Sequence, residues 1–212
     1  MMNFPDRAGM IATVILSAGR SERMGKQDKL MLLYQEKPLI RIILEKVLAH
    51  NFLQVIAVVG RRREQIEREI ASLPVEIARN TAHKQELSSS IRAGILTAEA
   101  NDPNLMIKGY MFFLGDMPLI RYDTIKMLIH RFCPDKKKIV APVMRGRRGN
   151  PVIFDRFYRE ELTAMSGDRG GGQVIKNHPR ETVLIETADT GIFYDVDTWE
   201  DYSLLKKKVE SV

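Results

Sequence analysis

The residues best suited to chemistry follow the first apolar segment of the chain, Ile11 to Leu16. The next stretch, from Ser17 to Lys29, reads S-A-G-R-S-E-R-M-G-K-Q-D-K. Its small residues would let backbone N–H groups approach a phosphate or a base closely, and its cations would supply positive charge. The small residues are Ala18, Gly19 and Gly25, and the cations are Arg23, Lys26 and Lys29. This stretch predicts a site for an anionic ligand, and a glycine-containing turn with a solvated charge run is the alternative.

The spacing of the glycines excludes two common nucleotide-binding motifs. Five residues separate Gly19 from Gly25, and Gln27 stands where a Walker loop would place a magnesium-binding Ser or Thr. No G-x-G-x-x-G follows the first apolar segment, so the dinucleotide-binding fingerprint is missing as well. A phosphate site here must therefore be of another type.

A single carboxylate follows a second apolar run, Tyr110 to Leu114. Asp116 lies in the sequence Gly115-Asp116-Met117-Pro118 directly after that run. A carboxylate beside a basic phosphate loop is suited to hold Mg²⁺, which takes oxygen ligands and shares them with substrate phosphates. An Asp that caps the following turn is the alternative.

The elements that position these residues alternate in type through the first part of the chain. Apolar and β-branched runs predict strands, and apolar residues at helical spacing predict helices between them. The predicted strands are 11–16, 55–59, 75–78 and 110–114, and the predicted helices begin at Pro38 and cover 64–73, 88–100 and 122–132. This β-α-β-α order predicts a mostly parallel sheet with helices on both faces. Ligands bind such sheets beyond the carboxyl ends of the strands, where both the glycine loop and Asp116 lie.

The pattern changes near residue 139. Short strands are predicted at 139–143, 151–154 and 183–186, and helices at 155–165 and 198–208, the latter capped by Thr198. A glycine-rich loop covers 166–172. We expect a single domain over residues 1–212, with a nucleotide-binding half at about 11–138 and an acceptor-side half at about 139–205.

Composition limits the class of protein. The chain has 212 residues, 44% of them hydrophobic and 28% charged, which is typical of a globular domain rather than a disordered or fibrous one. Its 33 Lys and Arg outnumber 27 Asp and Glu, so the partners to consider are nucleic acid, anionic lipid and phosphorylated small molecules. The single cysteine, Cys133, excludes an internal disulfide and is expected to be a buried small residue. No apolar stretch approaches membrane-spanning length, and a cytoplasmic protein is expected.

Together, a strand, the pattern A-G-x-S-x-R-M-G and a following Lys resemble the signature of the MobA-like nucleotidyltransferases. Within that group, S-A-G resembles the molybdenum cofactor cytidylyltransferases, whereas the three residues between Gly25 and Lys29 are more typical of guanylyl-transferring relatives. The resemblance covers about residues 11–205 and implies a three-layer α/β/α, Rossmann-like, mostly parallel sheet of the nucleotide-diphospho-sugar transferase type. It implies that Arg23 and Lys29 neutralise a triphosphate and that Asp116 binds metal.

The resemblance extends beyond the glycine loop and Asp116. Asn80 and the run Ser88 to Gly94 are similar to a stretch that lines the nucleotide site, although Glu86 and Leu87 stand where a Gly is common. Asp195 to Tyr202 resembles D-I-D-T-P-E-D-Y with Trp199 in place of the proline, so Asp197 is either a second metal ligand or a carboxylate at a helix start. The implied nucleotide-binding residues are Ser17, Ala18, Gly19, Ser21, Arg23, Gly25, Lys29, Asn80, Ser89, Ser90 and Gly94. The implied acceptor-side residues are Gly149, Asn150, Pro151, Gly167, Asp168 and Gly170.

The resemblance also implies an activity. It implies transfer of a nucleoside monophosphate from CTP, or from GTP, to the terminal phosphate of a molybdopterin-type cofactor with Mg²⁺, as an accessory to molybdenum hydroxylases and their maturation factors. The alternatives are a nucleotide-binding accessory or sensor without turnover and an NAD-linked reductase. No nucleic-acid or membrane partner is expected, because the Arg/Gly cluster at residues 145–151 lacks interleaved aromatic residues.

Overall fold

The computed structural model describes residues 7–19, 24, 27–60, 63–82, 86–167 and 170–207. An eight-stranded sheet forms its centre. The strands are β1 (Ile11–Ser17), β4 (Gln54–Val59), β5 (Glu76–Arg79), β6 (Gly109–Leu114), β7 (Ile139–Met144), β8 (Arg147–Arg148), β9 (Val152–Asp155) and β10 (Thr182–Glu186). Their order in the sheet is β10-β7-β9-β6-β1-β4-β5, with β8 paired to β7. Two short strands, β2 (Leu33–Tyr34) and β3 (Lys37–Pro38), form a separate hairpin.

Strand β1 lies at the middle of the parallel part of the sheet. Thr13 of β1 is in register with Val55 of β4 and with Met111 of β6, and both pairings are parallel. Every residue of β1 except Leu16 is buried. A strand covered on both faces needs apolar side chains on both, which is why residues 11–16 are apolar except for Thr13. The four strands predicted in this half are present, with ends that differ by a residue or two.

Strand β9 interrupts the parallel order. It lies between β6 and β7 and is antiparallel to both, with Ile153 opposite Met111 on one side and Val140 on the other. The start of β9 therefore lies at the same edge of the sheet as the carboxyl ends of β6 and β7. The sheet is mostly parallel, as predicted.

Helices cover both faces of this sheet, which confirms the predicted three-layer α/β/α fold. They are α1 (Leu39–Leu48), α2 (Arg63–Ile70), α3 (Leu87–Ala100), α4 (Tyr122–Arg131), α5 (Arg159–Ala164), α6 (Gly172–Asn177) and α7 (Trp199–Lys207). Apolar residues of α1, α2 and α4 share one core with Ile15 and Met111. Those of α3, α5 and α6 share another with Val14 and Tyr110. Side chains alternate between the faces along each strand, so neighbouring residues serve different cores.

Helix α3 approaches the sheet closely at Gly94. A β-carbon at Gly94 would collide with the side chain of Val14 on β1 and would lie 3.2 Å from Val58 on β4. Glycine at this position therefore sets the distance between helix and sheet. Val14 is at the middle of β1, so this contact lies between the helix layer and the sheet. It does not lie at the carboxyl end of β1, where the nucleotide is expected.

The capping prediction for α7 is confirmed. The backbone N–H of Asp201 donates to Oγ1 of Thr198 over 3.1 Å, and the N–H of Thr198 donates to Oδ2 of Asp201 over 2.8 Å. This reciprocal pair satisfies two backbone donors at the helix start.

Two other predictions were wrong in detail, and one helix was not predicted. The helix expected over 155–165 is a single 3₁₀ turn, Arg156–Tyr158, followed by α5, because Asp155 still belongs to β9 and accepts from the N–H of Phe157. Helix α6 was not predicted, since it begins at a glycine, a weak helix former. Cys133 is exposed rather than buried, because α4 ends at Arg131 and Phe132 takes the buried position. In the described part of the chain, no helix has both the length and the apolarity to cross a membrane.

Candidate active site

The predicted site residues converge on one edge of the sheet. Ser17 ends β1, Asn80 follows β5, and Asp116 follows β6 by two residues. Asn150 precedes β9, whose start lies at this same edge because β9 runs in the opposite direction. The edge forms the crevice in which open α/β sheets bind their ligands.

A lysine and two aspartates form the centre of this crevice. Nζ of Lys29 donates to Oδ2 of Asp116 and, over 2.6 Å, to Oδ1 of Asp197. The side chains of Lys29 and Asp116 are only 13% and 12% exposed, whereas that of Asp197 is 40% exposed. We call Lys29, Asp116 and Asp197 the charged cluster. The sequence predicted each residue for the site, but it did not predict that one ammonium would contact both carboxylates.

Local structure fixes the members of the charged cluster. Lys29 begins a 3₁₀ turn that is capped by Asp28, whose carboxylate accepts from the N–H of Leu30 over 3.1 Å. The carbonyl of Asp116 accepts from the N–H of Val196 over 3.1 Å. Because Val196 adjoins Asp197, this backbone hydrogen bond brings the carboxylate of Asp197 close to that of Asp116.

Electrostatics favours the charged form of Lys29. Burial alone would lower the pKa of Lys29, but attraction by Asp116 and hydrogen bonds to both carboxylates outweigh it and raise the pKa above its usual value. Burial raises the pKa of Asp116, and the nearby carboxylates of Asp195 and Asp197 add to this, while Lys29 opposes it. More positive charge at this point would therefore stabilise ionised Asp116.

The donor set fits a divalent cation that is shared with a substrate. Oδ1 of Asp116 is buried and has no hydrogen-bond partner among the described residues, so it is an oxygen free to accept a metal ion. No group of three or more His, Cys, Asp or Glu side chains in the described ranges could enclose a metal. Mg²⁺ is commonly held by one or two carboxylates, with waters and phosphate oxygens completing its shell. Asp116 and Asp197 would be the protein ligands.

The predicted nucleotide-binding residues fall into two groups on the crevice. On β1, the hydroxyl of Ser17 donates to the carbonyl of Val58 over 2.5 Å, so Ser17 ties β1 to β4. Ala18 is buried, and Gly19 is exposed, with no described residue other than its chain neighbours within 4 Å of its β-carbon position. The chain can therefore be approached closely at Gly19.

The second group surrounds the start of α3. Nδ2 of the buried Asn80 donates to Oγ of Ser89 over 2.8 Å and to Oγ of Ser90 over 3.0 Å. Oγ of Ser89 donates in turn to the carbonyl of Glu86 over 2.8 Å. Asn80 therefore links the end of β5 to the first turn of α3 and orients both hydroxyls.

The predicted acceptor-side residues also fall on two segments. The N–H of Gly149 donates to the carbonyl of Pro142 over 2.9 Å, and that of Asn150 donates to the carbonyl of Ile192 over 3.0 Å. Pro151 follows directly and leads into β9. The contact with Ile192 joins these residues to the segment that carries Asp197.

The glycine-rich loop contacts the start of α3 through Gly167 and Gly170. The N–H of Gly167 donates to Oε2 of Glu86 over 3.0 Å. Gly170 has a φ of +53°, and a β-carbon there would collide with Leu87. Glu86 and Leu87, which replace a common glycine of the family motif, thus form the contact surface for the acceptor-side loop.

Four predicted site residues lie outside the described residues: Ser21, Arg23, Gly25 and Asp168. Their assigned roles stay predictions.

Sequence reasoning missed two residues, the buried Asp189 and the partly buried Lys46, that hold the segment after Asp116. Oδ2 of Asp189 accepts from the N–H of Arg121 over 2.8 Å and from Oγ1 of Thr124 over 2.7 Å, and its Oδ1 accepts from the N–H of Gly191 over 2.8 Å. Nζ of Lys46 donates to the carbonyls of Pro118 and Ile120. Burial lowers the pKa of Lys46, and Asp189 partly compensates. No local pattern marks either residue, because each acts through partners far away in the chain.

The sheet and its helices define a three-layer α/β/α protein, and comparison with known families gives its class. Residues 13–183 match the MobA-like NTP transferase domain. This match covers most of the chain, which therefore belongs to the MobA-like NTP transferase family. The family predicted from the sequence is confirmed, and the chain is a nucleotidyltransferase of that family.

Two curated relatives illustrate the range of the family. Nicotine blue oxidoreductase of Paenarthrobacter nicotinovorans is 26% identical over 92% of this chain and 96% of that protein. A probable molybdenum cofactor guanylyltransferase of Natranaerobius thermophilus is 30% identical over 64% of this chain and 62% of that protein.

Solved structures agree with the fold. A crystal structure of an Rv0371c homologue from Mycobacterium sp. strain JC1 has a TM-score of 0.81 at 24% identity, covering 96% of this chain and 99% of that one. Rv0371c of Mycobacterium tuberculosis H37Rv, in complex with manganese, has a TM-score of 0.75 at 22% identity, covering 93% of this chain and 98% of that one.

Proposed function

We propose that this protein transfers a nucleoside monophosphate, CMP in preference to GMP, from the triphosphate to the terminal phosphate of a molybdopterin-type cofactor. An oxygen of the acceptor phosphate forms a bond to the α-phosphorus of the nucleotide. The bond from the α-phosphorus to the oxygen that bridges it to the β-phosphorus breaks, and pyrophosphate leaves with that electron pair. Such transfers need positioning and charge neutralisation rather than a covalent enzyme intermediate.

The charged cluster is the observation that carries this proposal. It places a buried ammonium and two carboxylates at the edge where β1 and β6 end. The ammonium of Lys29 would neutralise charge on the triphosphate, together with Arg23. The oxygens of Asp116 and Asp197 would hold Mg²⁺, which would act as a Lewis acid and stabilise charge that develops on the phosphate oxygens. Manganese in a structural neighbour of the same fold is consistent with a divalent ion.

The choice of nucleotide rests on two opposing sequence features. S-A-G at residues 17–19 favours CTP, whereas the three residues 26–28 between Gly25 and Lys29 favour GTP, as does a relative named a guanylyltransferase. A thermal-shift titration with magnesium and each nucleotide decides between them, because a ligand that binds only the folded state raises the melting temperature. We expect the larger shift with CTP, and a larger shift with GTP would reverse the assignment.

Pyrophosphate release tests the reaction itself. The protein is incubated with each nucleoside triphosphate, Mg²⁺ and molybdopterin, and pyrophosphate is followed over time. We expect release only when the acceptor is present, and loss of release in the Asp116→Ala variant. Absence of pyrophosphate with every nucleotide, in the presence of acceptor, would refute the transferase proposal. A thermal shift that persists in that case would indicate a nucleotide-binding accessory without turnover.

A reductase is the second candidate, because nicotine blue oxidoreductase is similar to this chain over almost its whole length. The missing dinucleotide fingerprint after β1 argues against it. Oxidation of NADH or NADPH in the presence of nicotine blue, followed by absorbance, would favour this candidate. Under the transferase proposal, the protein acts in the cytoplasm and serves the maturation of molybdenum hydroxylases.

A further inference from the structure

Two neighbouring arginines on the short strand β8 have different surroundings. Arg147 and Arg148 pair with Met144 and Val143 at the carboxyl end of β7, which is the crevice edge of the sheet. The guanidinium carbon of Arg147 lies 4.5 Å from the centre of the Phe193 ring, so Arg147 has an aromatic partner. Successive residues of a strand point to opposite faces, and Arg148 accordingly points elsewhere.

Arg148 lies between the two predicted acceptor-side segments. It directly precedes Gly149, and its Nη2 lies 3.6 Å from the position that a β-carbon at Gly172 would take. Gly172 ends the glycine-rich loop, which contacts the start of α3 through Gly170 and Leu87. Arg148 is therefore on the rim of the crevice where the acceptor is expected.

Arg148 has no anionic partner in the part of the chain that the structure describes. Among the described residues it has no hydrogen bond and no ion pair, whereas many other arginines do, such as Arg41 with Glu45 and Arg159 with Glu99. Its side chain is exposed, yet partial burial of the guanidinium lowers the pKa of Arg148, and no carboxylate offsets that cost. An exposed guanidinium without a partner among the described residues is suited to bind a phosphate through two parallel N–H donors.

We infer that Arg148 binds the terminal phosphate of the acceptor and so selects acceptors that are phosphate monoesters. The inference deepens the proposed transferase function and rests on it. An arginine at this position would hold the phosphate while one of its oxygens faces the α-phosphorus of the nucleotide. It would also exclude acceptors that end in a hydroxyl, because they lack the charge that the guanidinium requires.

Steady-state kinetics with molybdopterin and CTP tests this role. We expect Arg148→Gln to raise the KM for molybdopterin about tenfold or more, with the KM for CTP and kcat changed less than about twofold. Arg148→Lys keeps the charge without the planar fork, so an intermediate KM is expected. Arg147→Gln is the matched control, since it removes the same charge from the adjacent position. An unchanged molybdopterin KM in Arg148→Gln, or an equal increase in Arg147→Gln, would overturn the inference.

A binding measurement separates this inference from the proposed reaction. Line broadening of phenyl phosphate in ³¹P NMR reports phosphate binding without turnover. Broadening by the wild type and by Arg147→Gln, but not by Arg148→Gln, would support the inference even if no pyrophosphate is ever released. Equal broadening by all three proteins would refute it. Melting temperatures of the variants verify that each is folded.

Discussion

The two oxygens of Asp116 have opposite surroundings. Oδ2 contacts the ammonium of Lys29, whereas Oδ1 is buried and has no hydrogen-bond partner among the described residues. An unpaired buried oxygen costs stability, so its presence at a crevice suggests a ligand that pairs with it. This is the atom through which we expect the divalent ion to bind.

Asp116→Asn tests this expectation, because asparagine keeps the shape and removes the charge. We expect turnover to fall at least about a hundredfold. The melting temperature should change little, because Lys29 keeps Asp197 as a partner. Manganese binding followed by EPR should weaken in parallel with turnover. Retained manganese affinity in the folded variant would place the metal elsewhere.

Residues of the site were predictable to different degrees. Lys29 and Asp116 each follow a recognisable apolar strand, so position in the sequence marked them. Lys46 and Asp189 could not be found in this way, because their partners lie 72 and 65 residues away in the chain. Only the folded structure reveals that these two residues support the turn after Asp116.

The segment 189–197 acts as a single structural element. At its start, the carboxylate of Asp189 accepts hydrogen bonds from the N–H of Arg121 and the hydroxyl of Thr124. Further along, the carbonyl of Ile192 accepts from the N–H of Asn150. The N–H of Val196 donates to the carbonyl of Asp116. The segment carries Asp197 at its end. Its position therefore determines how the second carboxylate meets Lys29.

Removal of its anchor should destabilise the protein. Asp189→Ala would leave three donors unsatisfied and would leave Lys46 without its compensating charge. We expect the free energy of unfolding to fall by about 3 kcal/mol, measured by urea denaturation. Asp189→Asn keeps an acceptor oxygen and should cost less. A loss in Asp189→Ala no greater than in Asp189→Asn would contradict an electrostatic anchor.

The contact of α3 with the sheet gives a second prediction at this scale. Gly94→Ala would force a methyl group against Val14, and we expect a loss of about 2 kcal/mol in the free energy of unfolding. Gly9→Ala is the control, since no described residue other than its chain neighbours lies within 4 Å of that β-carbon position. Adding Val14→Ala to Gly94→Ala should cost less than the sum of the two single changes. Full additivity would mean that the two residues are not in conflict.

The helices and strands were predicted correctly where the residue pattern fits only one structural environment. Strand β1 is buried on both faces, so its apolar run identified it. Strand β9 was predicted, but its antiparallel direction was not, because a buried strand of four residues reads the same in either direction. The single domain proposed over both halves is consistent with a sheet in which β9 lies beside β6.

The stability of the whole molecule should depend on pH through His50. Its ring stacks on Tyr122 with 3.9 Å between ring centres, and its Nε2 is buried without a partner among the described residues. Burial, with a smaller effect of Lys126, lowers the pKa of His50 to about 4. The unfolded chain titrates near the ordinary value of about 6.5 and so binds the proton first as the pH falls.

Acidification should therefore destabilise the fold between about pH 6.5 and 4. The contribution of His50 is fully present above this range, and about 2 kcal/mol is lost between pH 7 and 5. Urea denaturation at the two pH values measures the loss. In His50→Phe, which cannot be protonated, the loss between these pH values should be smaller by that amount. An identical pH dependence in both proteins would exclude His50 as its source.

Trp199 is the only tryptophan in the chain, and it lies two residues beyond Asp197. Its ring is 47% exposed and makes an edge contact with Tyr202. All indole fluorescence of the protein therefore originates beside one carboxylate of the charged cluster. The emission of unlabelled protein should report changes in charge and hydration there, so that each ligand can be titrated optically in the native chain.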